Sequence, residues 1–286
     1  MKIIKPFSSF SDTKNIIDVY IRLYNLTSAS HGIKEIYGET YIFTNDDNYT
    51  HAFIHNTAMP KLTIPKENVI GMAFEPFEYL NLTHQFVNYA KHHIGKYFIG
   101  SNAEMLGKPF INHYGYMWHM TPINYIPVKN KTLSIMVSRK NQAPGHMYRH
   151  YLVKEILKTN LPIDIWGNGC VYYKNIKDDR IKGDFKESEP YKDYLFHICI
   201  ENFNKDHYFS EKITNTLLCS TTPVYMGCSN INSYFPDNVI TLSGELQNDL
   251  IFLRKICDNP AYYKKNIDYK EVLNKISIEN AVHCFN

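Results

Sequence analysis

The sequence predicts an α/β fold built from two domains. The chain has 286 residues, and at roughly 100–200 residues per domain this length predicts about two domains. In both halves, short apolar runs that end in polar or turn residues alternate with stretches of helical periodicity. Hydrophobic residues make up 44% and charged residues 21%, which is the balance of an ordinary globular protein.

The first half of the chain contains predicted strands and helices in alternation. The apolar runs 41–44, 51–54, 69–74 and 96–99 predict buried strands, and 14–24 and 78–93 predict helices. The segment 101–127 contains Pro109, Pro122 and Pro127 and shows little periodicity, so we expect a loop. We therefore predict a first α/β domain over 1–128.

The second half begins with a strand–helix–strand unit. Apolar residues predict a strand at 133–137, a helix at 146–158 and a strand at 163–166, and this order implies parallel strands with a right-handed crossover. The remaining predicted elements are strands at 195–200, 222–226 and 238–242, a helix at 210–219, and two helices in the last 40 residues. We predict a second α/β domain over 129–286, and a ligand-binding cleft between the two domains.

Charge, hydropathy and cysteine usage exclude several classes of protein. The net charge is +3, from 31 basic and 28 acidic residues that are interspersed, so we expect no nucleic-acid partner. No apolar run approaches the roughly 20 residues of a membrane-spanning helix, and the N-terminus turns polar too early for a signal peptide. None of the six cysteines forms a Cys-x-x-Cys pair, and Cys199 and Cys219 lie in apolar runs. Free thiols and a cytoplasmic location are therefore expected.

The segment 191–236 carries the strongest chemical signal. Glu201 and Asn202 follow a predicted buried strand, and Ser210 is a good N-cap for the next helix. Glu211 and Lys212 then fall in the first turn of that helix, where backbone N–H groups and a lysine favour anions. Glu211 can accept hydrogen bonds from a ribose or sugar hydroxyl. The alternative is a helix start without any ligand, because Ser-Glu-Lys is a common beginning of helices.

The whole segment resembles the donor-binding signature of the family 10 glycosyltransferases, the α-1,3/1,4-fucosyltransferases. That family has Phe-Glu-Asn at a strand end, then Tyr-x-Thr-Glu-Lys-Ile, then a small residue, x and Pro-Val-Tyr-x-Gly. The corresponding stretches here are Ile200-Glu201-Asn202, Tyr208-Phe209-Ser210-Glu211-Lys212-Ile213 and Thr222-Pro223-Val224-Tyr225-Met226-Gly227, followed by a similar Asn-Ile-Asn-Ser-Tyr-Phe-Pro. The resemblance extends over roughly 131–245.

Upstream of that segment, two further stretches are similar to the family. Val137-Ser138, Ala143-Pro144 and Arg149 resemble its Ser-Asn…Arg…Tyr stretch, although Arg139 stands where the family has asparagine. The run 163–167 resembles the family's Val-Asp-Val-x-Gly strand.

The resemblance implies a GT-B arrangement, two Rossmann-like domains facing a cleft, with GDP-fucose as donor. It implies that Arg149 and Lys212 hold the donor diphosphate, since charge-assisted contacts suit a leaving group that gains negative charge. It assigns Asn202, Tyr208 and Glu211 to the sugar and nucleoside pockets, and it counts Glu201 among the donor-binding residues. For Arg149, a surface position on its helix is the alternative.

Two weaker patterns remain open at this point. Gly167 and Gly169 could let a phosphate approach the backbone, but a simple turn explains them equally well. His146 and His150 are spaced i, i+4 and could chelate a metal, although no carboxylate-rich motif accompanies them and surface histidines are favoured. The chain has no Asp-x-Asp triplet, so we expect no metal site and no required cofactor.

A transfer that inverts the anomeric centre needs a base for the acceptor hydroxyl. Glu75 follows the apolar strand 69–74 and precedes Pro76, and the family places its presumed base at a similar strand end. Glu78 is the competing carboxylate, and a structural role for Glu75 is the further alternative.

Together these features predict an inverting, α-1,3-fucosyltransferase-like enzyme. It would bind GDP-fucose on 129–286 and a glycan or glycoconjugate acceptor on 1–128. One alternative is a transferase for a UDP-sugar or another GDP-sugar, and the other is a nucleotide-sugar-binding protein without catalysis. The family's animal members carry a membrane anchor and stem that are missing here, so we expect a bacterial- or viral-type soluble member.

Overall fold

The computed structural model describes residues 1–24, 32–36, 39–113 and 118–285. The chain forms two compact units, of which the first contains Met1–Thr121 together with Asn274–Asn286 and the second contains Pro122–Leu273. Within the described ranges, no helix is long and apolar enough to cross a bilayer.

The strands are β1 (Lys2–Ser8), β2 (Gly32–Ile36), β3 (Glu39–Phe43), β4 (His51–His55), β5 (Val69–Met72), β6 (Lys96–Ile99), β7 (Phe110–Asn112), β8 (Lys131–Met136), β9 (Ile163–Trp166), β10 (Ile181–Gly183), β11 (Tyr194–Ile200), β12 (Thr222–Met226) and β13 (Ile240–Thr241). The helices are α1 (Thr13–Tyr24), α2 (Phe77–Leu80), α3 (His84–His93), α4 (Ala103–Leu106), α5 (Pro144–Leu157), α6 (Glu211–Leu218), α7 (Leu246–Asp258), α8 (Pro260–Tyr263), α9 (Tyr269–Lys275) and α10 (Ile278–His283). Short 3-10 turns occur at Lys66–Asn68, Asn168–Tyr173 and Ile231–Ser233.

The first unit is built on a sheet whose described strands have the order β2-β3-β1-β4-β5-β6-β7. Neighbouring strands are parallel except for the antiparallel pair β2–β3. Apolar residues of α1, including Ile16 and Tyr20, pack on Ile4 of β1. Residues of α10, including Ile278 and Val282, belong to the same core, so the end of the chain completes the first unit.

The second unit contains a parallel sheet whose described strands have the order β10-β9-β8-β11-β12-β13. Leu133 of β8 pairs with Ile163 of β9 on one side and with Phe196 of β11 on the other. The helix α5 connects β8 to β9, and Leu152 and other apolar residues of α5 pack on the sheet. The predicted parallel strand–helix–strand unit is therefore confirmed.

Several predicted elements differ from the structure. The prediction of one helix over 78–93 is wrong, because Asn81 adopts a left-handed conformation with φ 50° and Thr83 caps a new helix by accepting a hydrogen bond from Phe86 N. The predicted loop 101–127 contains α4 and β7, while its residues 114–117 lie outside the described part. The last 40 residues hold more than the two predicted helices, and the predicted second domain, 129–286, extends past the compact second unit, which ends at Leu273.

The strand β1 was absent from the prediction although it lies in the middle of its sheet. Lys5 and Pro6 interrupt the apolar pattern there. In the structure the Lys5 ammonium lies 2.7 Å from the Asp47 carboxylate, and this ion pair allows a lysine that is only 8% exposed. The cysteines are free thiols as expected, with Cys199 and Cys219 buried.

Candidate active site

The centre of the candidate site in the second unit is the turn that follows β11. The backbone N–H of Glu201 donates to Met226 O at 2.8 Å, so the pairing with β12 continues one residue beyond the strand. The Glu201 side chain is completely buried. Carboxyl ends of parallel strands are where α/β folds bind their ligands, and this turn lies at such an end.

Glu201 is held by the residue that begins the next helix. Its Oε1 accepts a hydrogen bond from Ser210 N at 2.8 Å, and its Oε2 accepts one from Ser210 Oγ at 2.6 Å. Ser210 Oγ in turn accepts from Lys212 N at 3.4 Å and is the N-cap of α6, as the sequence predicts. Since its oxygens are occupied inside the protein, Glu201 fixes the start of α6 rather than offering a free carboxylate.

Lys212, in the first turn of α6, lies between two carboxylates, those of Glu201 and Glu211. Its Nζ lies 3.4 Å from Glu201 Oε2 and 3.2 Å from Glu211 Oε1, and it donates to Ser210 Oγ at 2.8 Å. The Lys212 side chain is 14% exposed and the Glu211 side chain is 50% exposed, so solvent reaches the site mainly beside Glu211.

The charges of Lys212 and Glu211 stabilise each other. Burial lowers the pKa of Lys212, but the carboxylates of Glu211 and Glu201 outweigh burial and bring that pKa above its ordinary value. Burial raises the pKa of Glu211, but Lys212 outweighs it together with hydrogen bonds, so the pKa of Glu211 lies below its ordinary value. Both groups are therefore charged near neutral pH.

Arg149 on α5 supplies a second cation. Its Nη2 donates to Asn202 Oδ1 at 2.9 Å and its Nε donates to Gly145 O at 3.1 Å. The side chain is mostly buried, with the residue 7% exposed, so the alternative of a surface arginine is wrong. Its charge acts to lower the pKa of Lys212, which means that the two cations lie within electrostatic reach of each other.

Two glycines allow helix α5 and strand β12 to approach the Glu201 turn. A Cβ on Gly145 would lie 1.8 Å from Glu201 O, and a Cβ on Gly227 would lie 2.4 Å from Glu201 Cγ. The N–H of Gly145 also donates to Asn202 O at 3.0 Å. The first turn of α5 is thus in direct contact with the backbone of the Glu201 turn, and no side chain fits between them.

Gly167 and Gly169 are explained by a second close approach. A Cβ on Gly167 would lie 2.2 Å from Val137 O, and one on Gly169 would lie 2.5 Å from Ser138 O. Gly167 also has φ +101°, a conformation that favours glycine. Packing against the end of β8 thus accounts for both residues, and a phosphate contact there stays a prediction.

The loop between β11 and α6 has partners that sequence reasoning missed. His207, with φ 61°, donates its N–H to Asn230 Oδ1 at 2.8 Å, and its Nδ1 lies 2.7 Å from Tyr234 Oη. The Phe209 ring contacts the Tyr234 ring at 4.8 Å. Tyr208 is 2% exposed. The only signal was the similarity of the Asn-Ile-Asn-Ser-Tyr-Phe-Pro run, which carried no assigned role.

The two histidines of α5 are engaged inside the fold. His146 Nδ1 accepts from Ala143 N at 3.2 Å, while His150 has Nε2 2.9 Å from Ser138 O and Nδ1 2.7 Å from Tyr173 Oη. Burial lowers the pKa of His146 to about 4, with a further contribution from nearby cations such as Arg149. The favoured alternative of surface histidines is therefore wrong for His146, which is 4% exposed.

The predicted base Glu75 belongs to the first unit. It is exposed and follows β5 by three residues. The backbone before it is fixed, because Ala73 N donates to Phe98 O at 2.9 Å and Phe74 N donates to Asn56 Oδ1 at 2.8 Å. Glu78, in the first turn of α2, is also exposed.

Comparison with known proteins gives relatives for both the sequence and the fold. A fucosyltransferase-like protein of Arabidopsis thaliana is 28% identical over 149 residues, which cover 50% of this chain and 28% of the relative. The GDP-fucose protein O-fucosyltransferase 3 of Danio rerio is 24% identical over 160 residues, covering 53% of this chain and 34% of the relative. The matched stretch thus spans about a third of the length of these curated relatives.

A solved structure has the same fold over nearly the whole chain. The crystal structure of an α1,3-fucosyltransferase with GDP aligns with a TM-score of 0.52 and 13% identity, covering 98% of this chain and 90% of that one. The predicted GT-B-like fold class, with two Rossmann-like α/β units, is thereby confirmed.

The family assignment rests on the sequence itself. The family model described as glycosyltransferase family 10 (fucosyltransferase), C-terminal part, matches residues 126–283, which is more than half of the chain and contains the whole Glu201–Lys212 site. The chain therefore belongs to glycosyltransferase family 10.

Proposed function

We propose that this protein transfers fucose from GDP-fucose to a hydroxyl of a glycan or glycoconjugate acceptor, with inversion at the anomeric carbon. The observation that carries the proposal is the pair of buried cations, Arg149 and Lys212, beside the Glu201–Asn202 turn in the region that matches the family. Family 10 membership and the fold shared with an α1,3-fucosyltransferase bound to GDP support this donor.

Arg149 and Lys212 would bind the diphosphate of the donor. As the bond between the anomeric carbon and the phosphate oxygen breaks, GDP gains negative charge, and fixed cations stabilise that charge without rearranging. Lys212 is well prepared for this role because its pKa lies above the ordinary value and the ammonium form persists at neutral pH. With two cations on the diphosphate, we propose that no metal or other cofactor is required.

The other predicted donor residues take different parts in this proposal. Glu201 would be a positioning residue, since its oxygens accept from Ser210 and hold Lys212. Asn202 would orient Arg149, because its Oδ1 accepts a hydrogen bond from Arg149 Nη2. Glu211 is half exposed and would accept hydrogen bonds from ribose or fucose hydroxyls. Tyr208, which is buried, would support the wall of the pocket.

Glu75 would be the general base. Its carboxylate would take the proton of the acceptor hydroxyl while that oxygen attacks the anomeric carbon from the side opposite GDP, so the new glycosidic bond forms as the bond to phosphate breaks. The support is its exposed position beyond β5, on a backbone fixed by Phe98 and Asn56. Glu78 is the competitor, since it is exposed on the following helix.

A serine or threonine hydroxyl of a protein is a second candidate acceptor. The name of the Danio rerio relative, a protein O-fucosyltransferase, favours it. The chemistry at the donor and at the base is the same for both kinds of acceptor.

A transfer assay with product analysis tests the proposal. The full chain is incubated with GDP-fucose, other GDP-sugars or UDP-sugars, against a panel of oligosaccharides and of serine- and threonine-containing peptides. Of the donors tested, we expect only GDP-fucose to give a glycosylated product. The NMR spectrum of that product should show that the configuration at the anomeric carbon is inverted relative to GDP-fucose. Transfer from a UDP-sugar, or retention of configuration, would contradict the proposal. Binding of GDP-fucose without any transfer would indicate a protein that has lost catalysis.

A further inference from the structure

The first unit carries a group of aromatic side chains around one buried histidine. Phe10, Phe74 and Trp118, which we call the aromatic wall, contact one another with ring centroids 5.5–6.4 Å apart. Each of the three also contacts the ring of His55, at 6.4, 4.9 and 6.3 Å respectively. The three rings of the aromatic wall therefore lie next to one another, with the buried His55 beneath them.

The aromatic wall lies at the carboxyl edge of the first sheet. Phe10 follows the end of β1 at Ser8, His55 is the last residue of β4, and Phe74 follows the end of β5 at Met72. The strands β1, β4 and β5 are parallel neighbours, so these three ends meet at one edge. Glu75, the predicted general base, is the next residue of the chain after Phe74.

Part of the aromatic wall is open to solvent. Phe10 is 51% exposed, and Phe74 and Trp118 are partly buried. A half-exposed phenylalanine in contact with two further rings is an apolar surface of the kind that binds a ligand.

The His55 imidazole beneath the aromatic wall is uncharged. Burial lowers the pKa of His55 to about 3, and its Nε2 shares a hydrogen bond of 2.6 Å with Tyr20 Oη. Within the described part of the chain, His55 Nδ1 is a buried polar atom without a hydrogen-bond partner. The neutral imidazole of His55 under the aromatic rings offers no positive charge to an anion, and this favours a neutral ligand.

We propose that the aromatic wall of Phe10, Phe74 and Trp118 binds a neutral pyranose ring of the acceptor glycan by stacking, next to Glu75. A pyranose has an apolar face of C–H groups, which packs on aromatic rings, and a rim of hydroxyls, one of which would be presented to the carboxylate. This inference rests on the proposed function, because it identifies the surface with the acceptor side of fucosyl transfer.

Glycan binding by the full chain tests this inference without relying on turnover. An array of neutral and sialylated oligosaccharides identifies bound glycans, and the affinity of a bound glycan is then titrated for Phe10→Ala, Trp118→Ala and Phe10→Tyr. Tyr262→Ala is the matched control, because Tyr262 is 76% exposed in the second unit. Thermal unfolding confirms that each variant is folded, and Trp118→Leu, which removes the aromatic ring but keeps an apolar side chain, replaces Trp118→Ala if the latter unfolds.

We expect binding of neutral oligosaccharides, with an affinity that falls about three- to tenfold in Phe10→Ala and in Trp118→Ala. Phe10→Tyr should retain the wild-type affinity, and Tyr262→Ala should not change it. The inference is overturned if no neutral glycan binds, if only sialylated glycans bind, or if Phe10→Ala and the tryptophan variant bind as the wild type does.

A GDP titration of the same samples separates this inference from the proposed donor. If the alanine variants bind GDP normally but bind the glycan more weakly, both proposals stand. If the wild type binds neutral glycans through the aromatic wall but does not bind GDP, the donor assignment fails and the wall does not. If GDP binds and Phe10→Ala leaves the glycan affinity unchanged, the wall fails and the donor assignment does not.

Discussion

The carboxyl ends of the two parallel sheets present different chemistry. In the second unit, this edge carries charged side chains that other side chains hold in place: Lys212 lies 3.4 Å from the Glu201 carboxylate, and Arg149 donates to the Asn202 amide oxygen at 2.9 Å. In the first unit, the same edge carries the aromatic rings of Phe10 and Phe74, followed by the exposed Glu75. One edge is charged and largely buried, while the other is apolar and partly open.

This difference matches what each substrate demands of a transferase. A diphosphate that gains charge in the transition state is best stabilised by cations held in place beforehand, and the buried contacts of Lys212 and Arg149 hold them. A neutral sugar acceptor needs a surface to pack on and one base for its hydroxyl. The proposed function accordingly assigns the donor to the second unit, and the acceptor with its general base to the first.

The largest expected effect separates chemistry on the first unit from binding on the second. Glu75→Gln should lower kcat by about 10²- to 10⁴-fold, the usual contribution of a general base, and should leave the Kd for GDP-fucose unchanged. Steady-state kinetics and calorimetry on the same preparation measure both quantities. Glu78→Gln is the matched control and should retain activity. If Glu78→Gln is the inactive variant and Glu75→Gln is active, the assignment of the base is wrong.

The next effect concerns the donor cations. Lys212→Ala should weaken GDP-fucose binding by about 10- to 150-fold, since a charge-assisted contact contributes roughly 1.5–3 kcal/mol. Lys177→Ala, which removes an exposed lysine in the same unit, should have no effect. Equal affinities for the Lys212 variant and the wild type in a calorimetric titration would remove Lys212 from the donor site.

Two carboxylate variants distinguish the role of Glu201 from that of Glu211 at the proposed donor site. Glu201→Gln should reduce the free energy of unfolding by about 1–3 kcal/mol, because it weakens buried hydrogen bonds to Ser210 and the contact with Lys212. Glu211→Gln should change stability much less, since that side chain is half exposed, and should mainly weaken donor binding. Urea unfolding together with GDP-fucose titration measures both effects. Reversed effects for the two variants would contradict the positioning role of Glu201.

A final comparison concerns the acid sensitivity of the two units. Burial lowers the pKa of His55 in the first unit and of His197 in the second to about 3. The unfolded chain has imidazoles with an ordinary pKa near 6.5, so between pH 6.5 and about 3 it binds more protons than the folded chain. The free energy of unfolding should therefore fall as the pH drops through that window, by at most about 1.4 kcal/mol per pH unit for each histidine.

Urea unfolding as a function of pH measures this slope. His55→Gln and His197→Gln should each make the decline shallower than in the wild type. His84→Gln, at an exposed position, should leave the slope as it is. Identical slopes for all four proteins would show that the buried histidines are not the cause of the acid sensitivity.

Local sequence patterns predicted the strands of the second sheet except β10, because those strands are rich in apolar residues and are followed by polar or turn residues. The strands at 163–166 and 222–226 have the predicted bounds, and Ser210 caps α6 as its residue type suggests. Such features depend on near neighbours in the chain. The same holds for Glu75, whose place after β5 follows from the end of an apolar run.

What the sequence did not reveal depends on distant pairings. The buried Lys5 in β1 pairs with Asp47, 42 residues away, and its ammonium also lies over the rings of Phe7 and Tyr49. The contact of His207 with Tyr234 spans 27 residues, and the aromatic wall brings together Phe10, Phe74 and Trp118. Periodicity carries no information on such contacts. The residues that hold the loop between β11 and α6, and the aromatic wall, were therefore visible only in the folded chain.

The most direct test of the account is the nucleotide preference of the full chain, measured by isothermal titration with GDP, GDP-fucose and UDP under one set of conditions. We expect saturable binding of GDP and GDP-fucose and much weaker binding of UDP. Tight binding of UDP without binding of either guanosine nucleotide would contradict the assignment of the Arg149–Lys212 site to a GDP-fucose donor.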